Sequence, residues 1–337
     1  MESPFTGGKA RLEKESMTME YRKESFDITY HYYVCEDTGE QFTNDEIDTL
    51  NQNQVLNRYR AKYGIPNPEE IKLLKSKYGL SSAKMSIILG LGANGYRNFE
   101  NGEMPSASIG KYLRLAEDPH EFLKLINLSK DQFSQQEYED ILKKAQSLVQ
   151  RYEHEHFVRE LELDVFPSKL PNINNGFRVP SLPRVGYMIQ YLVKELNPFT
   201  TLLNKLLFYA DFDHFKHQGS GISGIIYKAY KWGPVPTNYG GLYNIVCNNQ
   251  YVEVDEVAFP EYAGNRFCYK KDIDMNEFRR YISETEQKTL DKVISNFKSF
   301  STAEIVEKSH EEAAWLKNQD TSSEISYEYS FDLKNID

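Results

Sequence analysis

The stretch 79–105, GLSSAKMSIILGLGANGYRNFENGEMP, constrains the fold of this 337-residue chain more than any other. Ser81 stands where it can cap a helix whose apolar face is Met85, Ile88 and Leu89. Gly90 and Gly92 make a turn too short for two helices to lie antiparallel, so the helices must cross. Asn94 to Glu100 form a second short helix that presents Asn94, Arg97 and Asn98 outward, before Gly102 and Pro105 stop it. That is the layout of a helix-turn-helix reading a major groove, and it makes DNA a candidate ligand.

Charge qualifies this. The net charge of −10 argues against a general polyanion binder. Beyond Gln250 there are 19 acidic and 11 basic residues, whereas 66–126 holds eight Lys/Arg and seven Asp/Glu. A near-neutral module can therefore face phosphates while the acidic end points elsewhere. That acidity serves solubility or offers a surface to a basic protein partner. Three cysteines, Cys35, Cys247 and Cys268, make no disulfide framework. No 18-residue apolar run and no signal-peptide core occur, so a cytoplasmic protein with no membrane partner is expected.

The rest divides by pattern. Residues 16–34 alternate: Met17, Met19 and Tyr21 share one face, and Phe26, Ile28, Tyr30, Tyr32 and Val34 the next, with a polar turn at Arg22–Ser25, so a β-hairpin is expected. A helix from Asn44 to about Tyr63 follows, with Ile47, Leu50 and Tyr59 near one face. Residues 134–163 keep helical spacing through Tyr138, Ile141, Ala145, Leu148 and Tyr152, and 164–183 reads as a Pro-rich linker. Val185, Met188, Ile189 and Leu192 line a further helix. Thr201–Phe215 form another, with Leu202, Leu206 and Tyr209 inward. A strand at Ile225–Tyr230, an interruption at Pro234 and Pro236, helices at 239–248, 284–297 and 302–308, short strands near 251–257 and 266–270, and a frayed polar end complete the expectation.

Two short outlines carry metal-site geometry without metal chemistry. Ser3-Pro4-Phe5-Thr6-Gly7 and Cys35-Glu36-Asp37-Thr38-Gly39 have the spacing of the two knuckles of a zinc ribbon. Ser3, Thr6 and Thr38 occupy three of the four ligand positions, and neutral hydroxyls do not hold structural zinc. No metal is expected. The hairpin's aromatic face (Phe26, Tyr30, Tyr32, with Phe42) would have to supply the core instead.

Residues Gly90-x-Gly92-x-Asn94-x-Tyr96, Phe99-Glu100-x-Gly102 and Pro105 resemble the helix-turn-helix of MqsA-type antitoxins, a family in which a zinc ribbon comes first. The resemblance implies that Asn94 contacts a base edge, and Asn pairs bidentately with adenine. It nominates Asn94, Tyr96, Arg97 and Asn98 for DNA, with Ser82 and Lys84 as phosphate contacts. The family usually has Arg where Asn98 stands. Arg97 is one place earlier, about a hundred degrees around the helix, so the sequence read should differ. Phe99 is expected in the core, and Glu100 in a local hydrogen bond.

A second resemblance covers about 184–318. Lys205-Leu206-Leu207-Phe208-Tyr209-Ala210, then Ala229-Tyr230-x-Trp232-Gly233-Pro234-Val235-Pro236 and Tyr239, Ser283-Glu284-x-Glu286, and Ser309-His310-Glu311-x-x-x-Trp315 together look like a Panacea, or SocA-like, domain. That family is mainly helical with a small sheet and occurs in antitoxins that neutralise varied toxins. The resemblance nominates Trp232, Pro234, Tyr239, His310, Glu311 and Trp315 for toxin contact, although Trp232, Pro234, Val235 and Pro236 also suit a purely structural role.

Enzyme chemistry finds little support. His214 and His217 beside Asp211 and Asp213 read as a surface pair at a helix end rather than a metal site. His310-Glu311 lacks the second His of a metalloprotease motif, and Gly219–Gly224 lacks the Lys-Ser/Thr of a phosphate loop. Neither a catalytic residue nor a cofactor is expected.

The expectation is an α+β, mainly helical protein. It has a degenerate zinc-ribbon-like hairpin and helix at 1–65, a helix-turn-helix domain at 66–126 and a long helix with a linker at 127–183. A Panacea-like domain with a small antiparallel sheet spans 184–320, and a polar tail 321–337. The function expected is that of a type II antitoxin. Its C-terminal domain neutralises a protein toxin, and its N-terminal part binds operator DNA as a homodimer and represses its own operon. The alternatives are a transcriptional regulator whose C-terminal domain senses a ligand or protein, and a proteolytic adaptor.

Overall fold

In the computed structural model, residues 1–337 are described apart from Glu155, Lys169, Glu261, Tyr262, Lys270 and Asp337, with no side chain described over 155–159. The chain forms two compact units: Met1–Tyr59 with Glu162–Asp337, and Arg60–Leu161. The fold is α+β and mainly helical, with small antiparallel sheets.

The larger unit opens with a long ribbon. Strands β1 (Ala10–Tyr21) and β2 (Glu24–Cys35) pair from Ala10↔Cys35 to Tyr21↔Glu24. The two-residue turn, Arg22-Lys23, places both residues at positive φ, as the right-handed strand twist demands. Short β3 (Gln41–Phe42) joins β2 at Tyr33 and Val34. The ribbon starts six residues before the expected position, because the charged run Arg11–Ser16 hides its alternation. The expected aromatic face also breaks. Phe26 and Ile28 are buried, but farther along His31 and Cys35 are buried rather than Tyr30 and Tyr32. A two-stranded ribbon twists strongly, and different faces are covered at its two ends. Near the turn, Tyr59 meets Phe26 and Tyr21. At the far end Phe331 packs on His31, and Phe42 stacks on Tyr33 rather than on Tyr32.

Helix α1 (Asp45–Tyr63) buries Ile47, Leu50 and Tyr59 as its spacing implies. Its polar residues do something the spacing does not show. Asn51 accepts from His31 N at 2.9 Å and donates to His31 O at 2.9 Å. Gln54 accepts from Thr29 N at 3.1 Å and donates to Thr29 O at 2.8 Å. Two side-chain amides thus satisfy the open edge of β2 as a further strand would. Asn53 and Asn57 donate to the carbonyls of Gln218 and Gly219.

The smaller unit is a bundle. It contains α2 (Pro68–Tyr78), α3 (Ser82–Ile88), α4 (Gly95–Glu100), α5 (Ala107–Leu115), α6 (Pro119–Leu128) and α7 (Gln135–His154), and α8 (His156–Val165) begins within it. Each start is written locally. Asn67 and Glu70 form a capping box, and Ser81, Ser106 and Asp118 accept from Lys84 N, Ile109 N and His120 N. Tyr78, Met85, Ile88, Leu113, Phe122 and Ile126 form the core with Ile141 and Ala145 of α7. Tyr78 stacks on Phe122 at 3.8 Å.

The larger unit resumes with α9 (Leu182–Leu196), α10 (Thr200–Gln218), β4 (Tyr227–Tyr230), β5 (Gly233–Pro236) and α11 (Tyr239–Asn248). Then come β6 (Glu253–Ala258), β7 (Ala263–Cys268), α12 (Met275–Tyr281), α13 (Glu284–Phe297), α14 (Thr302–His310) and α15 (Ala313–Leu316). α10 packs against α9, α13, α14 and β5. It is buried without a break from Leu203 to Phe215, not on one face as expected, and Leu202 is only half-buried. A helix wrapped on all sides carries no periodic signature. Several of its polar residues find partners: Asn204 accepts from Tyr243 Oη at 2.6 Å, and Asp213 accepts from Lys292 Nζ at 2.9 Å.

Two further expectations fail. Pro234 and Pro236 do not interrupt the fold but sit in β5, opposite Ala229 and Tyr227 in a two-stranded sheet where β5 is an edge strand. The chain end is not frayed. Ile325, Tyr327, Leu333 and Ile336 are buried, and Glu312 accepts from Lys334 N and Asn335 N at 3.0 Å. The stretch before α9 is likewise tied down. Arg178 and Arg184 both donate to Glu286 Oε1 at 2.8 Å inside the core, while Glu286 Oε2 caps α13 through Ser283 N.

Candidate functional sites

Three places collect the residues of interest. On the smaller unit, the chain leaves α3 through Gly90 at φ 65°, and Leu91 N donates to Ser86 O. Ser86 Oγ then accepts from Tyr96 N and anchors the start of α4. Asn94, Arg97 and Asn98 lie at i, i+3 and i+4, so they share a face, and all three are exposed. Among the described residues, none of these three side chains has a hydrogen-bond or ion-pair partner.

The other nominees on this unit are bound inside it. Tyr96 is fully buried and donates its hydroxyl to Ile71 O at 2.6 Å, so it is a core residue and not a DNA contact. Ser82 donates to Glu100, and Lys75 pairs with Glu100 as well, so that hydroxyl is committed within the bundle instead of reaching a phosphate. Glu100 thus makes the local hydrogen bond that its charge requires, and Phe99 is buried. Lys84 forms a surface pair with Glu137 at 3.4 Å. Such a pair holds a side chain weakly, leaving Lys84 free to exchange partners.

The second place is the β4–β5 turn. Lys231 and Trp232 form its tip, Trp232 is 60 % exposed, and the Lys231 ammonium lies 4.8 Å from its ring centroid. Tyr230 and Tyr239 are also exposed. Trp315 donates its indole N–H to Tyr230 O at 2.8 Å and stacks on His310 at 3.9 Å, so these two buttress the turn. Pro234 is buried and faces inward, which removes it as a surface contact. Glu311 is exposed and pairs with Lys308, while its neighbour Glu312 is the carboxylate that holds the chain end.

Beneath the turn lies Lys205, fully buried, whose ammonium donates to Pro234 O at 2.9 Å. Burial, with no carboxylate to offset it, pushes its pKa down to about 7. Burial also lowers His310, helped by the nearby Lys205 charge. Gly233 has φ 97°, and a Cβ there would meet Ser309 Oγ at 2.4 Å and Lys205 Cε at 2.8 Å. The glycine is required by backbone and space together. Farther along α10, Asp211 accepts from Ile222 N, Ser223 N, Ser223 Oγ and Tyr227 Oη; complete burial raises its pKa despite these bonds.

The third place is Cys35. Thr6 Oγ1 lies 3.6 Å from its Sγ, and hydrogen bonds from Ser3, Thr38 and Thr6 bring the thiol down to about 6. The four knuckle positions therefore meet at one sulfur. Among the described residues, no group of three His, Cys, Asp or Glu side chains is arranged to hold a metal. His214 is not the surface residue expected. It is buried with Nδ1 2.7 Å from Ser220 O, and only His217 is exposed, 3.5 Å from Asp213.

Residues 203–316 match the family model of the antitoxin SocA-like, Panacea domain. The match begins inside α10 and ends at the last residue of α15, so it contains Lys205, the β4–β5 turn, Glu286 and Trp315. It suggests an antitoxin-like, non-enzymatic role and implies a toxin as partner. No curated protein and no solved structure matches the chain. Among the described residues, no helix is long and apolar enough to cross a membrane.

Sequence reasoning missed Lys205, Asn51, Gln54 and Glu312 as organising residues. The polar run Asn51-Gln52-Asn53-Gln54 was a usable signal, because a helix face rich in amides needs partners. Lys205 stood only as the first residue of a motif, with no sign of its burial, since a lysine on a helix ordinarily reads as solvated.

Proposed function

We propose that this chain is the antitoxin of a type II toxin–antitoxin pair, cytoplasmic and dimeric. Its Panacea-like part neutralises a protein toxin, and its helical bundle binds operator DNA and represses the operon. The observation that carries this reading is the family match over 203–316, joined to an exposed Lys231-Trp232 tip held rigid from beneath. Rigid aromatic anchors beside a cation are the residue types that dominate protein interfaces. Trp232 and Tyr239 are the contact residues in this reading, while Trp315 and His310 position the turn. For DNA, Asn94, Arg97 and Asn98 offer unpartnered donors and acceptors in one row, with Lys84 beside them for phosphate.

Co-expression tests the neutralisation. The adjacent open reading frame should arrest growth alone and lose that effect with this protein present. Trp232→Ala should weaken protection while leaving the fold intact. If the frame is harmless, or if protection survives deletion of 184–337, the assignment is wrong.

A further inference from the structure

A cavity of about 800 Å³ opens within the larger unit, between the hairpin, α1, the C-terminal end of α10 and Phe331. Space of that size is far beyond a packing defect, and it falls within the range of cavities that hold small organic molecules. Most of its wall comes from segments outside the 203–316 match, so it is a property of this chain's added parts.

The chemistry of the wall is uneven. The inner surface is apolar and aromatic, from His31, Ile47, Leu50 and Phe331. His31 is 4 % exposed, and its Nδ1 has no hydrogen-bond partner. Burial holds that imidazole neutral, with its pKa lowered to about 4. It therefore serves the wall as a neutral ring packed on Phe331, with Nδ1 closed off from the cavity. The cations on the wall are engaged elsewhere. Lys14 pairs with Asp332 and donates to Phe331 O at 2.7 Å, Lys216 donates to Leu333 O at 3.1 Å, and His217 faces Asp213. Glu13 pairs with Arg11 at 2.7 Å. Asp45 and Glu46, on the first turn of α1, are exposed at the rim and have no cation partner among the described residues.

We infer that this cavity is a binding site for a small organic cation: an amine on an aromatic or aliphatic body. The body lies against Leu50 and Phe331, and the ammonium faces Asp45 and Glu46.

Calorimetric and saturation-transfer NMR titrations of the full chain test this with three probes of one shape: phenethylamine, 3-phenylpropionate and 3-phenylpropan-1-ol. The amine should bind saturably and about tenfold more tightly than the acid, as an attraction replaced by a repulsion implies. The double variant Asp45→Asn, Glu46→Gln should weaken the amine about threefold or more and leave the alcohol unchanged. Leu12→Trp, at an exposed position on the wall, should abolish binding of both. Absence of saturable binding by every probe overturns the inference. So does an acid that binds as well as the amine, or an amine that is indifferent to Leu12→Trp.

Discussion

Gly90 and Gly233 both stand at positive φ, 65° and 97°; Gly90 follows α3 just before the polar row of α4, and Gly233 opens β5 just after the Lys231-Trp232 tip. Around Gly90 an added Cβ would meet nothing within 4 Å, whereas at Gly233 it would strike Ser309 and Lys205. The first turn is a local device: a helix stop, a serine anchor and a short helix, all within fifteen residues. The second is held by side chains from far along the chain. The bundle is therefore assembled from short-range rules, and the Panacea-like part from long-range ones. That difference sets how each should respond to substitution.

The largest effect should come from Glu286→Gln, which removes the charge that Arg178 and Arg184 share in the core. A loss of about 3–5 kcal/mol is expected. In the bundle, Glu70→Gln, at the half-buried pair with Arg114, should cost only about 1 kcal/mol. Both tryptophans, Trp232 and Trp315, lie in the larger unit, so urea unfolding followed by their fluorescence reads the first variant, and amide hydrogen exchange over 60–161 reads the second. Equal losses would erase the contrast.

Next is Gly233→Ala, at about 2–4 kcal/mol from strain and collision combined. Gly90→Ala should cost about 1 kcal/mol from backbone strain alone. The same two measurements decide between them.

Asn94→Ala tests whether the local turn serves recognition. It should lower discrimination between operator and non-operator DNA by about 1–3 kcal/mol in gel shifts at fixed salt, without changing bundle stability. Unchanged specificity would leave α4 a structural helix only.

A further contrast lies in pH dependence. With Lys205 lowered to about 7 in the folded chain and near 10.5 when unfolded, the unfolded state binds the extra proton between those values. Stability therefore rises with pH across that window, by up to about 1.4 kcal/mol per unit. Lys205→Met should flatten this slope in urea titrations at pH 7, 8 and 9, and a slope unaffected by the variant would show that the amine reaches solvent.

The same contrast explains what could be read in advance. The cap at Ser81 and the apolar rows through Met85, Ile88, Ile141 and Ala145 were legible, because caps and periodicity are local properties of a helix with one wet face. So were the exposed row Asn94, Arg97, Asn98 and the motif order later matched over 203–316. Tyr96 and Ser82 were misplaced because a hydroxyl carries no sign of whether it meets solvent or a partner such as Ile71 O or Glu100. The buried face of β2 was misplaced because which side of a twisted ribbon is covered depends on Tyr59 and Phe331, not on the strand itself.

By itself, then, the amino-acid sequence determined the helical bundle with its outward polar row, the absence of a four-cysteine metal site, and the run of motifs that marks the C-terminal part. Only tertiary structure decided that α10 is buried all round with a lysine inside it, that amides of α1 finish the edge of β2, that Glu286 gathers two arginines, and that the hairpin and α10 leave a cavity between them. The reason is one of range. Capping and amphipathic spacing act over a few residues and leave a trace in composition, whereas desolvation and shape are set by whatever the rest of the chain brings alongside.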